Sequence, residues 1–273
     1  MNDDRRILRA STFDEVTELY DRSRIGPPEQ LFDDLFTLAE IAPPADSSVL
    51  EVGCGTGQAT QQLARRGCRV VCVEMGANLA RIARRNLAQF PNVTVMTTRF
   101  EDWEPCDERF DIVLAVTSWH WIDPEVRYAK AARVLKPEGV LAFTTGAHVF
   151  PPGFDPFFIE IQLCYDALGE GYAAGWSPAP PEHIPDAREE IERSGYFEDV
   201  RIARYIWATD FNADQYVDMM STASDHRLLE PAKRERLFTE MRRLINARPA
   251  GQVRKHRLTI LHVAHRKPEL VVR

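Results

Sequence analysis

The chain has 273 residues, enough for one large domain or two ordinary ones and long enough to bury a substantial core. Hydrophobic residues make up 44% of it and charged residues 27%, which excludes wholesale disorder and collagen-like structure. The 34 Lys and Arg against 41 Asp and Glu give a net charge of -7, which argues against a protein that mainly coats nucleic acid or anionic lipid.

The five cysteines predict no covalent framework. Their number is odd and they contain no C-x-x-C pair, so neither disulfides nor a zinc site is indicated, and we expect no metal. Residues 1–15 lack the apolar core of a secretory signal, and no stretch approaches the roughly 20 apolar residues that cross a bilayer. We therefore expect a cytoplasmic protein that does not engage a membrane.

Apolar runs and helix patterns alternate along the first half of the chain, after an amphipathic pattern at 13–24. The runs are continuously apolar, as expected of parallel strands covered by helices on both faces. They lie at 48–53, 69–74, 93–97, 111–116 and 140–144. The intervening helix patterns end at Gly67, before Pro91 and before Pro137, and the third begins with Asp123 as its N-cap.

The second half changes character. Residues 146–185 are rich in proline and predict an irregular connection with one helix at 156–168, followed by a short helix near 186–194. Two alternating segments, 197–207 and 254–265, predict antiparallel strands. The chain between them is too long for a hairpin turn and contains two helix patterns, at 213–222 and 231–247.

A glycine-rich turn follows the first predicted strand. Residues 51–57 read Glu-Val-Gly-Cys-Gly-Thr-Gly, and glycines there let a ligand lie against bare backbone at a helix N-terminus. Glu74 ends the next strand, 21 residues after Gly53, where a carboxylate accepts both hydroxyls of a ribose. The dinucleotide pattern G-x-G-x-x-G would need a glycine at 58, but that residue is Gln58.

The G-x-G-x-G spacing, with Glu51 two places before the first glycine, resembles motif I of the class I S-adenosylmethionine-dependent methyltransferases. The resemblance extends to the small-molecule members, including the trans-aconitate and ubiquinone-biosynthesis-like group. It implies an α/β, Rossmann-like mixed sheet of seven strands in the order 3-2-1-4-5-7-6, with strand 7 antiparallel and helices on both faces. The chain 1–273 is then one domain. Its parts are an N-terminal lid of helices (1–40), a cofactor-binding core (41–145) and two substrate-cap insertions (146–190 and 208–250).

The resemblance also implies which residues bind S-adenosylmethionine or its product, S-adenosylhomocysteine. These are Tyr20, Glu51, Gly53, Cys54, Gly55, Gly57, Glu74, Met75, Phe100, Glu101, Thr117 and Trp119. One departure affects the adenine site: many members have Asp where this chain has Arg99, and a guanidinium cannot accept a hydrogen bond from an amino group. We assign that role to Glu101, with Asp102 as its rival.

The segment Thr117-Ser118-Trp119-His120-Trp121 follows the fourth predicted strand. His120 is the candidate general base, and Trp121 the candidate wall of the acceptor pocket, with core packing as the alternative. Residues 227–257 carry a local charge of +7 from ten basic and three acidic residues. This is either a solvated face or a cap in which Arg227, Arg242 or Arg254 attracts an anionic acceptor.

The sequence therefore predicts in-line methyl transfer to oxygen or nitrogen of a small-molecule acceptor, with a carboxylate or another anionic metabolite among the candidates. Two alternatives stay open: an NAD(P)-dependent oxidoreductase and a non-catalytic cofactor-binding protein. The acidic charge and the absence of an Asn/Asp-Pro-Pro-Tyr/Phe motif argue against nucleic acid as a partner. We expect a monomer or a homodimer.

Overall fold

The computed structural model describes residues 3–41, 45, 47–105, 107–171 and 177–268. In this part of the chain, seven strands form one sheet in the order β3-β2-β1-β4-β5-β7-β6. The strands are β1 (Ser48–Val52), β2 (Arg69–Glu74), β3 (Val93–Thr97), β4 (Phe110–Val116), β5 (Leu135–His148), β6 (Phe197–Asn212) and β7 (Gln252–Arg266). The first five run parallel, and β7 is antiparallel to both β5 and β6. The predicted strand order and the antiparallel seventh strand are confirmed.

Helices cover both faces of this sheet because the central strands are apolar on both sides. Three of them, α3 (Gln30–Ala39), α4 (Gln58–Arg65) and α5 (Ala77–Leu87), bury their apolar stripes in one cluster. On the other face, α6 (Arg127–Val134) and α8 (Arg188–Arg193) pack in a second cluster. The core is therefore two apolar layers with the sheet between them.

The N-terminal segment divides into two parts, whereas the sequence predicts one lid over 1–40. Helices α1 (Asp3–Ser11) and α2 (Thr17–Ser23) approach the carboxyl ends of the strands. Helix α3 instead lies in the helical layer, with Leu31 and Leu35 fully buried. The strongly apolar face of α3 is stabilised by burial against the sheet, so only α1 and α2 form what we call the lid.

The two predicted cap insertions form a single apolar cluster. Its helices are α7 (Phe157–Ala167) from the first insertion, and α9 (Ala213–Ser221), α10 (Ser224–Arg227) and α11 (Pro231–Asn246) from the second. Phe157, Tyr216 and Leu237 lie at its centre and are nearly inaccessible to solvent. We call these four helices the cap cluster. Helix α8, although it lies inside the first predicted insertion, belongs to the sheet layer.

The region around Pro137 differs from the prediction in detail. Asp123 does not cap α6 directly, because its carboxylate accepts the N–H of Glu125 in a preceding turn and the helix begins at Arg127. Strand β5 begins at Leu135 and passes through Pro137, where the register against β4 shifts. A bulge of this kind tolerates proline because no ladder N–H is required there.

The described cysteines Cys54, Cys68, Cys72 and Cys164 are free thiols, and Cys106 lies outside the described residues. Within the described ranges no group of three metal-ligating side chains is assembled. None of the helices described is both long enough and apolar enough to span a bilayer.

Candidate active site

The glycine loop (residues 53–57) lies where the sheet order reverses, since β1 pairs with β2 on one side and with β4 on the other. Gly53, Gly55 and Gly57 all have positive φ, at 72°, 58° and 89°. A Cβ on Gly53 would lie 2.7 Å from Cβ of Ser118, and one on Gly57 would lie 2.8 Å from Leu87. The loop thus needs glycine for its backbone and for close approach to two neighbouring segments.

Glu74 ties the end of β2 to this loop. Its Oε2 accepts the N–H of Gly55 at 2.9 Å and its Oε1 accepts the N–H of Gly76 at 2.8 Å. The residue is 4% exposed, and burial raises the pKa of its carboxyl to about 7, with Asp14 adding to the rise. A carboxylate offers about four acceptor positions, so two remain for hydroxyl groups of a ligand.

The first cavity, of about 280 Å³, lies between the glycine loop and the lid. Phe13, in the turn between the two lid helices, contacts Tyr20 and Trp121 edge-on, with ring centroids 5.8 Å apart in each pair. The guanidinium of Arg6 donates a hydrogen bond to the carbonyl of Trp121. The lid is therefore joined to the segment after β4. The predicted cofactor residues that line this cavity are Tyr20, Gly53, Gly55, Glu74, Met75, Phe100, Glu101 and Thr117.

The loop after β3 forms the far end of the first cavity. Phe100 and Glu101 line it, whereas Asp102 is exposed and lies 4.0 Å from Arg99. The Oε1 of Glu101 accepts the backbone N–H of Asp123 at 3.0 Å and also lies 3.3 Å from Arg99. Of the two acids proposed for the adenine site, Glu101 is thus the one in the cavity.

Thr117 connects this cavity to a second one. It is a β-branched residue at φ 54°, a backbone conformation that is costly outside glycine and is found at functional sites. Its N–H donates to Oγ1 of Thr144 at 2.9 Å, which holds it at the end of β4. Thr117 lines both cavities, as do Tyr20, Arg24, Gly53, Gly55 and Val116.

The second cavity, of about 320 Å³, lies on the β5–β7–β6 side of the glycine loop. Its floor includes Glu51 and Cys54, and Oε2 of Glu51 accepts a hydrogen bond from Thr60 at 2.7 Å. Burial raises the pKa of Glu51 to about 7. The cavity wall away from the loop includes side chains from β5, β6 and β7, namely His148, Trp207, Lys255, Arg257 and Thr259.

Three residues assigned to the site lie outside both cavities. Trp119 is 3% exposed and stacks on Phe143 at 5.3 Å, so it is a core residue here. Gly57 serves the packing of the glycine loop on Leu87. Arg227 forms an ion pair with Glu15, which lies in the turn between the two lid helices.

His120 and Trp121 line the first cavity and not the second. His120 is exposed, yet desolvation by the surrounding protein lowers its pKa to about 4, assisted by repulsion from Arg127 and Arg9. The imidazole is neutral at pH 7. It can therefore accept a proton, but with little driving force.

Arg24, His148, Lys255 and Arg257 were missed by sequence reasoning. The alternation within β7 contains a signal, because Lys255 and Arg257 are two residues apart and share a face of the strand. Arg24 follows α2 and meets them only in the folded chain. That meeting depends on the lid, which no local pattern reveals.

The strand order, the glycine loop after β1 and the acid that ends β2 are those of the class I S-adenosylmethionine-dependent methyltransferases. Residues 49–139, which include the glycine loop and Glu74, match the model of a family described as a methyltransferase domain. By this match and by its fold, the chain is similar to the class I methyltransferases.

Named relatives agree with this assignment. An uncharacterized methyltransferase of Mycobacterium bovis is 32% identical over 130 residues, which are 48% of this chain and 50% of that protein. The demethylmenaquinone methyltransferase of Tropheryma whipplei is 31% identical over 147 residues, 54% of this chain and 60% of that one. The chain thus spans about half to three fifths of the length of these relatives.

A solved structure extends the likeness of fold beyond that segment. It is a protein of Anaeromyxobacter dehalogenans, provisionally assigned as a type II methyltransferase, with a TM-score of 0.59 and 25% identity. The match covers 89% of this chain and 96% of that one.

Proposed function

We propose that this protein transfers a methyl group from S-adenosylmethionine to oxygen or nitrogen of a small-molecule acceptor. The observation that carries the proposal is the position of Glu74, a buried carboxylate with free acceptor positions that lines the first cavity. It is hydrogen-bonded to the glycine loop, and the loop lies between the two adjoining cavities. The first cavity suits an adenosine, and the second suits an acceptor. The two meet at Gly53, Gly55 and Thr117, which is where donor and acceptor must meet.

The residues present fit the donor. Glu74 accepts hydrogen bonds from the ribose hydroxyls, and Phe100 with Glu101 takes the adenine end of the cavity. A Cβ built on Gly55 would lie 3.8 Å from the Tyr20 ring, so Tyr20 covers the glycine loop beside the place proposed for the methionine end. Tyr20, Phe13 and Trp121 exclude water from the joined space.

The donor supplies a methyl group attached to positively charged sulfur, so transfer forms a bond from the acceptor to that carbon and leaves the electron pair of the broken bond on sulfur. The protein aligns the two reactants, and alignment alone is worth roughly 7 to 11 kcal/mol in favourable cases. A carboxylate acceptor needs no base. An alcohol or an ammonium must lose a proton, and His120 is our candidate acceptor for it.

Calorimetric titration with S-adenosylhomocysteine and, separately, with NADH tests the proposal. We expect S-adenosylhomocysteine to bind with one site per chain and NADH to bind far more weakly. A small-molecule screen that detects formation of S-adenosylhomocysteine then tests turnover. Tighter binding of NADH would favour an oxidoreductase. Donor binding without turnover of any acceptor would favour a non-catalytic protein.

We further propose that the protein works on small molecules without nucleic acid, as a monomer or homodimer in the cytoplasm. The net charge of -7 supports the first point, because a nucleic-acid-binding surface needs an excess of positive charge. Sedimentation with and without duplex DNA measures both the oligomeric state and any association.

A further inference from the structure

Three cationic side chains from distant parts of the chain meet in the second cavity. Arg24 follows α2, and Lys255 and Arg257 lie on β7. All three line the cavity directly beside the glycine loop. The carboxyl group of Glu51 also lines it, but it hydrogen-bonds to Thr60 and has a raised pKa.

No carboxylate neutralises these cations among the residues that the structure describes. The ε-amino group of Lys255 makes no hydrogen bond there and lies 5.2 Å from the ring centroid of Phe158. Arg24 donates from Nε to Oγ1 of Thr222 at 2.8 Å, which leaves its charge uncompensated. Buried or half-buried charges are normally paired, so an unpaired group of three indicates an anion that binds from outside.

The guanidinium of Arg257 is held in place by neighbouring side chains. It lies between two aromatic rings, 5.0 Å from the centroid of Trp207 and 5.4 Å from that of Phe211. Nη2 donates to Sδ of Met219, and Nη1 is buried without a partner. The guanidinium is therefore fixed in orientation with Nη1 lacking a partner, which suits a hydrogen bond to an oxyanion.

The cluster carries an electrostatic cost when it is empty. Burial lowers the pKa of Lys255 well below its usual range, and repulsion from Arg257 and Arg24 adds to this. Burial, with Arg24 nearby, also lowers the pKa of Arg257 to about 10. An anion between these groups would offset the repulsion that they impose on each other.

The basic residues favoured from the sequence behave differently. Arg227 pairs with Glu15, Arg242 with Asp214 at 3.2 Å, and Arg254 with Asp210 at 3.6 Å. Each of them has its own carboxylate and none lines either cavity. The cations that do line a cavity are therefore other residues, although Lys255 and Arg257 also lie within 227–257.

We propose that the methyl acceptor carries an oxyanion, a carboxylate or a phosphate, and that Arg24, Lys255 and Arg257 bind it in the second cavity. This inference rests on the proposed function, because it concerns the acceptor of that reaction. His148 lies beside the cluster with its Nε2 buried and unpartnered, so it offers one hydrogen bond to a second polar group of the acceptor. Held in this way, the acceptor extends from the cations toward Thr117 and the glycine loop.

Anion binding to the protein saturated with S-adenosylhomocysteine tests the proposal. Citrate and inorganic phosphate are the probes, titrated separately by calorimetry in chloride buffer of low ionic strength. We expect at least one of them to bind with one site per chain. Lys255→Met and Arg257→Met should each weaken that binding by about tenfold or more, because each removes a charged hydrogen-bond donor.

Arg254→Met is the matched control. It lies on the same strand, is exposed and has its own partner, so anion affinity should stay within about twofold. Lys255→Arg, which keeps the charge, should retain most of the affinity. Equal binding of S-adenosylhomocysteine by all variants shows that they are folded. If neither anion binds while S-adenosylhomocysteine does, or if Arg254→Met weakens binding as much as Arg257→Met, the anionic acceptor is wrong. If S-adenosylhomocysteine itself fails to bind, the proposed function is wrong instead.

An acceptor screen separates the two oxyanions. Carboxylic acids are assayed beside their methyl amides, and phosphate monoesters beside the parent alcohols, with S-adenosylhomocysteine formation as the readout. We expect turnover in one charged arm only, with KM raised about tenfold or more by Arg257→Met and kcat changed less. Equal turnover of the neutral partners would overturn the proposal.

Discussion

Glu74 performs two tasks at one position. Its carboxylate accepts the N–H groups of Gly55 and Gly76 and leaves acceptor positions open toward the first cavity. The same group is therefore part of the loop geometry and part of the proposed ribose site. Changes at this residue should affect binding more than fold, because the N–H of Gly53 is held separately, by the carbonyl of Val73.

Glu74→Ala should weaken binding of S-adenosylhomocysteine by about 2 to 3 kcal/mol, since it removes a charged acceptor for two hydroxyl groups. Calorimetry measures the change. Glu108→Gln, a pair partner of Arg69 outside both cavities, is the control and should leave binding unchanged. Wild-type affinity in Glu74→Ala would mean that the ribose lies elsewhere.

Gly53→Ala should abolish measurable donor binding. Its Cβ would approach Cβ of Ser118 to 2.7 Å, in addition to the strain of φ 72°. Gly195→Ala isolates the strain, because φ there is 82° and no atom lies within 4 Å of the added carbon. The control should lose only about 1 kcal/mol of stability and no affinity. Equal behaviour of the two variants would show that the contact with Ser118 is unimportant.

Sequence reasoning can locate those single residues whose position depends on local geometry. The glycine loop and Glu74 could be found because a strand end, a turn and an acid at fixed spacing are visible in one dimension. Trp119 shows the opposite case. An aromatic residue after β4 can face either the cavity or the core, and its packing on Phe143 of β5 decides for the core.

At the scale of elements, the cap cluster unites two insertions that are far apart in sequence. Helix α7 packs on α11, and α11 on α9, around a buried set of aromatic and aliphatic side chains. The helix patterns were predicted correctly because each has an apolar stripe. Their partner could not be predicted, since an apolar stripe does not specify which other stripe covers it.

Leu237→Ala should destabilise the cap cluster by about 2 to 5 kcal/mol, because Leu237 is fully buried in it and the change leaves a cavity. Urea unfolding measures the loss. Affinity for S-adenosylhomocysteine should stay within about twofold, since the cap cluster contributes no lining residue to the first cavity. Leu63→Ala on α4, equally buried, is the comparison and should weaken both stability and donor binding. Equal loss of affinity in the two variants would show that donor binding in the first cavity depends on the cap cluster.

At the scale of the whole molecule, the buried carboxyl groups beneath the glycine loop make folding depend on pH. Burial raises the pKa of Glu51 to about 7 from an ordinary 4.5, and that of Glu74 similarly. The folded protein therefore holds these protons more tightly than the unfolded chain does. Their contribution to stability is complete below about pH 4.5 and is lost as the pH rises through 7.

Glu51→Gln should therefore stabilise the protein at pH 8, by up to about 3 kcal/mol, and have little effect at pH 4.5. The amide oxygen still accepts the hydrogen bond from Thr60 and carries no charge. Urea unfolding at the two pH values measures the difference. Glu182→Gln, at an exposed position, is the control and should match the stability of the wild-type protein at both pH values. A gain for Glu51→Gln that does not depend on pH would contradict the raised pKa.

The order of the chain has a consequence for any attempt to change the proposed acceptor. The proposed donor residues come from the lid and from residues 51–117, whereas the cap cluster and β6–β7 come from the second half. A transplant of residues 208–250 from a relative would bring three cap helices but leave α7 behind. Because Phe157 of α7 packs on Tyr216 of α9, a working chimera must exchange both segments together. The cap cluster should thus be inherited as a matched pair of segments, whereas acceptor preference should follow Arg24 and strand β7, because these and not the cap helices line the second cavity.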